Sequence, residues 1–176
     1  EPALDPERFD SVVAAAVAAI DALDTDLLVL GEMGIGNTTV AAALANAILG
    51  GDAADWVGRG TGVDDDGLAR KRDAVATATA RVAGHGDPID VMRHVGGAEL
   101  VAMARLRSIP VLLDGYVCTA AVLPLHAAAP GALDHCIVGH CSAEPGHRRL
   151  LDHLGMRPLL DLGMRLGEGS GAMAAV

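Results

Sequence analysis

The chain has 176 residues, of which 51% are hydrophobic, and it carries a net charge of −10 at neutral pH. This length and hydrophobicity exclude intrinsic disorder and predict one globular domain, and because the chain has one Trp, one Tyr and one Phe, small aliphatic side chains must fill its core. The acidic charge excludes a nucleic-acid partner, while three cysteines and the lack of an apolar run of about 18 residues predict a soluble, cytoplasmic protein with no membrane segment.

The amino-terminal part of the sequence predicts a helix, a strand and a second helix. Apolar residues recur at helical spacing over 9–23, which predicts an amphipathic helix. A short apolar strand is predicted over 26–30, and a glycine-rich loop follows it. The helical pattern resumes over 38–48 and ends at Gly50-Gly51, because glycine commonly ends helices.

The rest of the sequence alternates helices with two more short strands. Helices are predicted over 67–83 and 89–106, strands over 109–114 and 135–140, and a last helix from about Gly169. The two strands are apolar, and each leads into a turn and then a helix, which is typical of buried parallel strands. The sequence therefore predicts an α/β fold, with a parallel sheet flanked by helices in a Rossmann-like, three-layer arrangement.

Polar residues follow each predicted strand. Glu32 comes after the first strand, Asp114 ends the second, and His140 and Ser142 lie at the end of the third. Ligands of open parallel sheets bind outside the carboxyl ends of the strands. We therefore expect these side chains to line one ligand site.

The glycine-rich loop at Gly31 to Gly36 predicts a phosphate cradle. Glycines bring bare backbone close to a ligand, and a helix that begins at Asn37 or Thr38 points free N–H groups at an anion. The loop also fits the spacing of a nucleoside-triphosphatase loop, but Asn37 stands where such an enzyme has lysine. Glycines that serve only to bend the chain remain an alternative.

Glu168 is the candidate general base. It lies between glycines after an apolar run that begins at Pro158, and poor solvation there would raise its pKa towards the range useful for proton abstraction. The alternative is a solvated loop glutamate that caps the last helix.

Two patterns suggest metal ligands, but each has a simpler explanation. The acidic run 64–66 suggests magnesium, yet acids are common at the start of a helix. The pairs His135-Cys136 and His140-Cys141 contain ligand types that zinc prefers. Cys136 and His140, however, lie roughly 13 Å apart along a strand, which is too far to share one ion. We expect neither a metal nor a cofactor.

Four separated blocks resemble one enzyme family. They are Gly31-Glu-Met-Gly-Ile-Gly-Asn-Thr-Thr39, Gly58-Arg-Gly-Thr-Gly-Val-Asp-Asp65 with Leu68-Ala-Arg-Lys71, Ser142-Ala-Glu-Pro-Gly-His147, and Leu166-Gly-Glu-Gly-Ser-Gly171. Their order, together with the block 113–121, resembles that of the nicotinate-nucleotide:5,6-dimethylbenzimidazole phosphoribosyltransferase family. Family members are roughly twice as long, so residues 1–176 are expected to be the carboxyl-terminal part of a two-domain enzyme, without the amino-terminal half and the final helices.

The resemblance implies an activity and a set of site residues. The family transfers the phosphoribosyl group of nicotinate mononucleotide to 5,6-dimethylbenzimidazole, giving α-ribazole 5′-phosphate and nicotinate for the lower loop of cobalamin. Glu168 matches the family's general base. By the same resemblance, the substrate-binding residues are Glu32, Gly34, Gly36, Asn37, Gly60, Lys71 and Ser142. No metal is implied, because the leaving group is a cationic pyridinium rather than a pyrophosphate, and the family forms homodimers.

Two other functions stay open at this stage. A phosphate-binding module without catalysis would need the cradle alone, and a nucleoside triphosphatase would need magnesium and Thr38. Neither accounts for the block around Glu168.

Overall fold

The structure is a computed structural model that describes residues 1–104 and 109–176. Within these residues the chain forms a parallel sheet and helices before, between and after its strands. In chain order the elements are α1 Pro6–Asp21, β1 Leu28–Leu30, α2 Asn37–Leu49, α3 Ala53–Trp56, α4 Asp65–Arg81, α5 Pro88–Val95, α6 Gly97–Met103, β2 Val111–Leu113, α7 Tyr116–Ala128, β3 Cys136–His140, α8 Pro145–Leu154, β4 Pro158–Leu160 and α9 Ser170–Ala175.

The strands of the described residues lie in the order β1-β2-β3-β4, and every pair is parallel. Because all of these strands are parallel, their carboxyl ends meet at a single edge of the sheet. The predicted α/β fold with a helix-flanked parallel sheet is confirmed. Helix α9 packs against β3, where a Cβ on Gly139 would overlap Ala172.

Small side chains form much of the core, as the composition predicts. Ala41, Leu44 and Ala45 of α2 are fully buried, and so are Ala120 and Leu123 of α7. Alanine lets these two helices approach each other closely, and they pack together. This packing fixes α2, and thereby the loop that precedes it.

Aspartates fix the start of four helices. The carboxylates of Asp5, Asp52, Asp64 and Asp87 each accept a backbone N–H from the first turn of α1, α3, α4 and α5 respectively. Such caps pair donors that the helix itself leaves unpaired. The acidic run 64–66 therefore lies at the start of α4, which is the simpler of its two explanations.

The helix predicted over 89–106 is wrong as a single element. Gly97 has φ +67°, a left-handed conformation, and it separates α5 from α6. The last residues of the predicted helix, 105–106, lie outside the described residues. The edge strand β4 was not predicted, because it is three residues long and begins with proline. No helix of the described residues is long and apolar enough to cross a membrane.

Candidate active site

A cleft of about 460 Å³ opens at the carboxyl ends of β1, β2 and β3. The loops that follow these strands form its walls, together with the loop before α4 and the turn before α9. All eight residues that the sequence singled out line this cleft: Glu32, Gly34, Gly36, Asn37, Gly60, Lys71, Ser142 and Glu168. Segments as far apart in sequence as β1 and α9 therefore meet at one site.

The loop after β1 forms the floor of the cleft. Gly36 adopts φ 94° at the N-cap of α2, and no side chain caps this helix. The N–H of Thr39 donates to the carbonyl oxygen of Gly36 at 2.9 Å, whereas the N–H groups of Asn37 and Thr38 begin the helix without a partner inside it. These two groups and the positive end of the helix dipole face the cleft. This is the geometry that binds phosphate.

Glu32 is a half-buried carboxylate beside this loop. Burial raises its pKa, and the negative charges of Glu99, Asp114 and Glu168 raise it further. A hydrogen bond from Asn37 Nδ2 to Glu32 Oε2 acts in the opposite direction. Asn37 is thereby fixed by Glu32 and does not extend freely to a terminal phosphate, unlike the lysine of a triphosphatase loop.

Lys71 brings a cation to the first turn of α2. Its Nζ donates to Thr38 Oγ1 at 3.0 Å and to the carbonyl oxygen of Gly58 at 2.8 Å. An ammonium group has three donors, so one remains for a ligand. Burial lowers the pKa of Lys71, while the charge of Glu144 acts against that shift.

Glu144 is a site residue that sequence reasoning missed. It is 4% exposed, its Oε1 accepts the N–H of Gly60 at 2.8 Å, and its Oε2 has no hydrogen-bond partner within the described chain. The N–H of Gly60, a residue that the resemblance assigns to substrate binding, is thus already donated to Glu144. The signal for Glu144 was present in the Ser142-Ala-Glu block, but burial of its carboxylate depends on tertiary packing.

Ser142 is oriented by a buried hydrogen-bond chain. Its N–H donates to His147 Nδ1 at 2.9 Å, so Nε2 carries the ring proton and donates to Thr119 Oγ1 at 3.1 Å. The Thr119 hydroxyl then donates to the carbonyl oxygen of Gly115 at 2.9 Å. Burial lowers the pKa of His147 to about 3, so the ring is neutral near pH 7. The hydrogen bonds therefore run in one direction, from Ser142 through His147 and Thr119 to Gly115.

Glu168 differs from the sequence expectation in one respect. Its side chain is exposed to solvent, so the predicted poor solvation is wrong. The reason is that the apolar residues before it do not cover it, since Leu162 and Leu166 are themselves exposed. Its backbone is nevertheless constrained: φ is 62°, and its N–H donates to the carbonyl oxygen of Glu32 at 2.8 Å.

The three cysteines are not among the side chains that have metal-ligand spacing in the described residues. Cys118, Cys136 and Cys141 are free and buried, and burial raises the pKa of Cys118 to about 12. Within the described ranges, the side chains with metal-ligand spacing are His85, Asp90 and His94, outside the cleft. Asp90 is already paired there, because Arg93 Nη2 donates to its Oδ1 at 2.8 Å.

A parallel sheet with a glycine loop, a lysine and carboxylates at its carboxyl edge is suited to a sugar phosphate. The family model described as phosphoribosyltransferase matches residues 1–176. The chain belongs to this phosphoribosyltransferase family.

Named relatives make the family more specific. The nicotinate-nucleotide–dimethylbenzimidazole phosphoribosyltransferase of Methylocella silvestris is 55% identical over 183 residues, which cover 100% of this chain and 53% of the relative. That of Brucella anthropi is 53% identical over 182 residues, covering 99% and 53%. The crystal structure of CobT from Thermus thermophilus matches with a TM-score of 0.88 at 48% identity, over 99% of this chain and 55% of that chain. The family resemblance is confirmed, and the chain spans about half the length of the curated relatives it matches.

Proposed function

We propose that this chain is the part of a phosphoribosyltransferase that binds nicotinate mononucleotide and transfers its phosphoribosyl group to 5,6-dimethylbenzimidazole. The products are α-ribazole 5′-phosphate and nicotinate, the former for the lower loop of cobalamin. One observation carries the proposal: a phosphate cradle and an exposed, backbone-anchored carboxylate line one cleft. Family membership and the names of the relatives support the choice of substrates.

The phosphate end of the substrate fits the floor of the cleft. The loop around Gly34 and Gly36 and the first turn of α2 offer backbone N–H groups, and Lys71 offers a positive charge. Ser142 lies on the neighbouring wall. The ribose and the departing nicotinate then lie towards Glu32 and Gly60, where binding requires Glu144 to release the Gly60 N–H.

Glu168 is the proposed general base. One benzimidazole nitrogen attacks the anomeric carbon, the bond from that carbon to the pyridine nitrogen breaks, and its electron pair neutralises the pyridinium. The other benzimidazole nitrogen gives its proton to the Glu168 carboxylate. General-base catalysis of this kind contributes typically ~10²–10⁴ in rate. The exposed carboxylate suits a base that meets a substrate entering from solvent.

The test uses a grafted polypeptide, in which this chain replaces the matched segment of the Methylocella silvestris relative. Incubation with nicotinate mononucleotide and dimethylbenzimidazole, without magnesium, is expected to release nicotinate and form α-ribazole 5′-phosphate in equal amounts. The unmodified relative is the positive control. A folded graft that binds nicotinate mononucleotide and releases no nicotinate would contradict the proposed reaction and favour a phosphate-binding module. Hydrolysis of ATP with magnesium instead would favour the triphosphatase.

Three parts of the proposal concern the whole protein. The correspondence to the carboxyl-terminal half of the relatives, the homodimer and the cytoplasmic location remain predictions. Light scattering of the grafted polypeptide tests the homodimer, because the measured mass should then be twice that of one chain.

A further inference from the structure

The turn that carries Glu168 is held by a buried carboxylate from another strand. Asp114 follows β2 and is 1% exposed. Its Oδ2 accepts the N–H of Gly169 at 3.2 Å, and its Oδ1 accepts the N–H of Ala172 at 2.8 Å. Both of its oxygens therefore bind backbone donors in the segment that follows Glu168.

Asp114 is itself fixed by the sheet. Its N–H donates to the carbonyl oxygen of Leu30 at 3.1 Å, and its carbonyl oxygen accepts the N–H of His140 at 3.3 Å. These bonds continue the pairing of β1, β2 and β3 by one residue. The carboxylate is thus a rigid extension of the sheet, unlike the exposed turn that it holds.

The turn needs such an anchor because its backbone is strained. Gly167, Glu168 and Gly169 have φ values of 81°, 62° and 76°, so three consecutive residues are left-handed. For a residue with a side chain this conformation is unfavourable and persists only where neighbouring structure enforces it. Here the Glu168 N–H donates to the carbonyl oxygen of Glu32, and the Gly169 N–H donates to the carboxylate of Asp114.

His140 completes the support from below. Its ring is 1% exposed, and its Nε2 lies 3.6 Å from Asp114 Oδ1. A Cβ on Gly171 would overlap this ring, so the first turn of α9 lies directly on the imidazole. The ring therefore limits how far the turn can move towards the sheet.

We propose that Asp114 is a positioning residue for Glu168: its carboxylate fixes the left-handed turn and so aims the Glu168 side chain into the cleft. This inference rests on the proposed function of Glu168 as the base. In this role Asp114 takes no proton and acts through the turn that it holds. Its effect on the reaction passes entirely through Glu168.

Amide exchange in the 176-residue chain tests the structural part. Asp114→Asn leaves one acceptor oxygen and turns an NH2 group towards a backbone donor, so exchange at Gly169 and Ala172 is expected to be at least tenfold faster. The matched control is Asp87→Asn, which alters the carboxylate that accepts the Ile89 N–H at 2.9 Å. The control is expected to accelerate exchange at Ile89 alone. Exchange at Gly169 and Ala172 within twofold of the parent chain would overturn the inference.

A double-mutant cycle in the grafted polypeptide tests the functional part. Asp114→Asn is expected to lower kcat at least tenfold with the KM for nicotinate mononucleotide changed less than threefold. In a Glu168→Gln background the same change is expected to have less than a twofold effect, because the base is already absent. An equal loss in both backgrounds would overturn the positioning role, since general damage to the fold would act on both.

Two further arrangements keep the outcomes separate. If Asp114→Asn does not fold, Asp114→Ala takes its place with the same expected results, because it removes both acceptor oxygens without turning an NH2 group towards a backbone donor. If the parent graft is inactive, the proposed function fails, while amide exchange in the 176-residue chain still decides whether Asp114 holds the turn.

Discussion

Glu168 combines an exposed carboxylate with a constrained backbone. The side chain is open to solvent, whereas its N–H is fixed to Glu32 and its neighbours are left-handed glycines. The backbone thus fixes the point from which the carboxylate extends, while the carboxylate itself stays in water. This arrangement favours proton transfer over tight substrate binding.

Replacing Glu168 by glutamine should separate chemistry from binding. In the grafted polypeptide we expect Glu168→Gln to lower turnover at least tenfold, because the amide cannot accept the proton, while the Kd for nicotinate mononucleotide stays within twofold. Steady-state kinetics and calorimetry measure the two quantities. The control is Glu7→Gln on the exposed face of α1, which should change neither. Unchanged turnover in Glu168→Gln would contradict its role as base.

Lys71 should contribute to binding through its charge. Lys71→Met keeps the length of the side chain and removes the ammonium group, so we expect nicotinate mononucleotide to bind about tenfold more weakly, in line with the loss of a charge-assisted hydrogen bond. Binding should also depend less on salt. Calorimetry at two salt concentrations measures both effects. Arg70→Met, at the exposed neighbouring position, is the control, and equal losses in both variants would argue against a specific phosphate contact.

The sequence could identify most residues of the cleft but not their partners. Glycine spacing and the family blocks singled out Gly34, Lys71 and Glu168, which the structure brings to one cleft. The bond from Gly60 to Glu144 and the chain through His147 join segments far apart in sequence. Burial of those carboxylate and imidazole groups is a property of tertiary packing, and no local pattern encodes it.

At the level of elements, local patterns predicted the interior of helices and strands better than their ends. Three strands and the helices α1, α2 and α4 were recognised from apolar spacing, because burial of one face imposes it. Strand β4 was missed because it is three residues long and begins with proline, which is uncommon inside a paired strand. The break between α5 and α6 lies at a glycine pair whose left-handed member was not recognised.

The left-handed conformation of Gly97, at the break between α5 and α6, has an energetic cost for other residues that can be measured. Gly97→Ala would place a Cβ in open space but at φ +67°, so we expect the free energy of unfolding to fall by about 1 kcal/mol from backbone strain. Urea denaturation measures the change. Gly86→Ala also meets open space, but φ there is not in the left-handed range, and it should be neutral or slightly stabilising. Similar losses in both variants would show that strain at Gly97 is not the cause.

At the scale of the whole molecule, order in the cleft depends on a neutral, buried imidazole. The chain from Ser142 through His147 and Thr119 to Gly115 links α8 to α7 beneath the cleft. It holds only while the His147 ring is neutral, because Nδ1 must accept the Ser142 N–H. Protonation would both lose this bond and place a charge in the core.

The stability of the fold should therefore depend on pH through His147. Burial, with smaller effects of His140 and Arg148, lowers its pKa to about 3, against 6.5 for an ordinary histidine. Between these values the unfolded chain binds a proton that the folded chain does not, so the stabilisation is complete above pH 6.5 and is lost as the pH falls towards 3. We expect about 2 kcal/mol less stability at pH 5 than at pH 7. Urea denaturation at both pH values should show a much smaller difference in His147→Gln, whereas the exposed-site control His153→Gln should keep it. A His147→Gln chain with the full difference would assign the pH dependence to other groups.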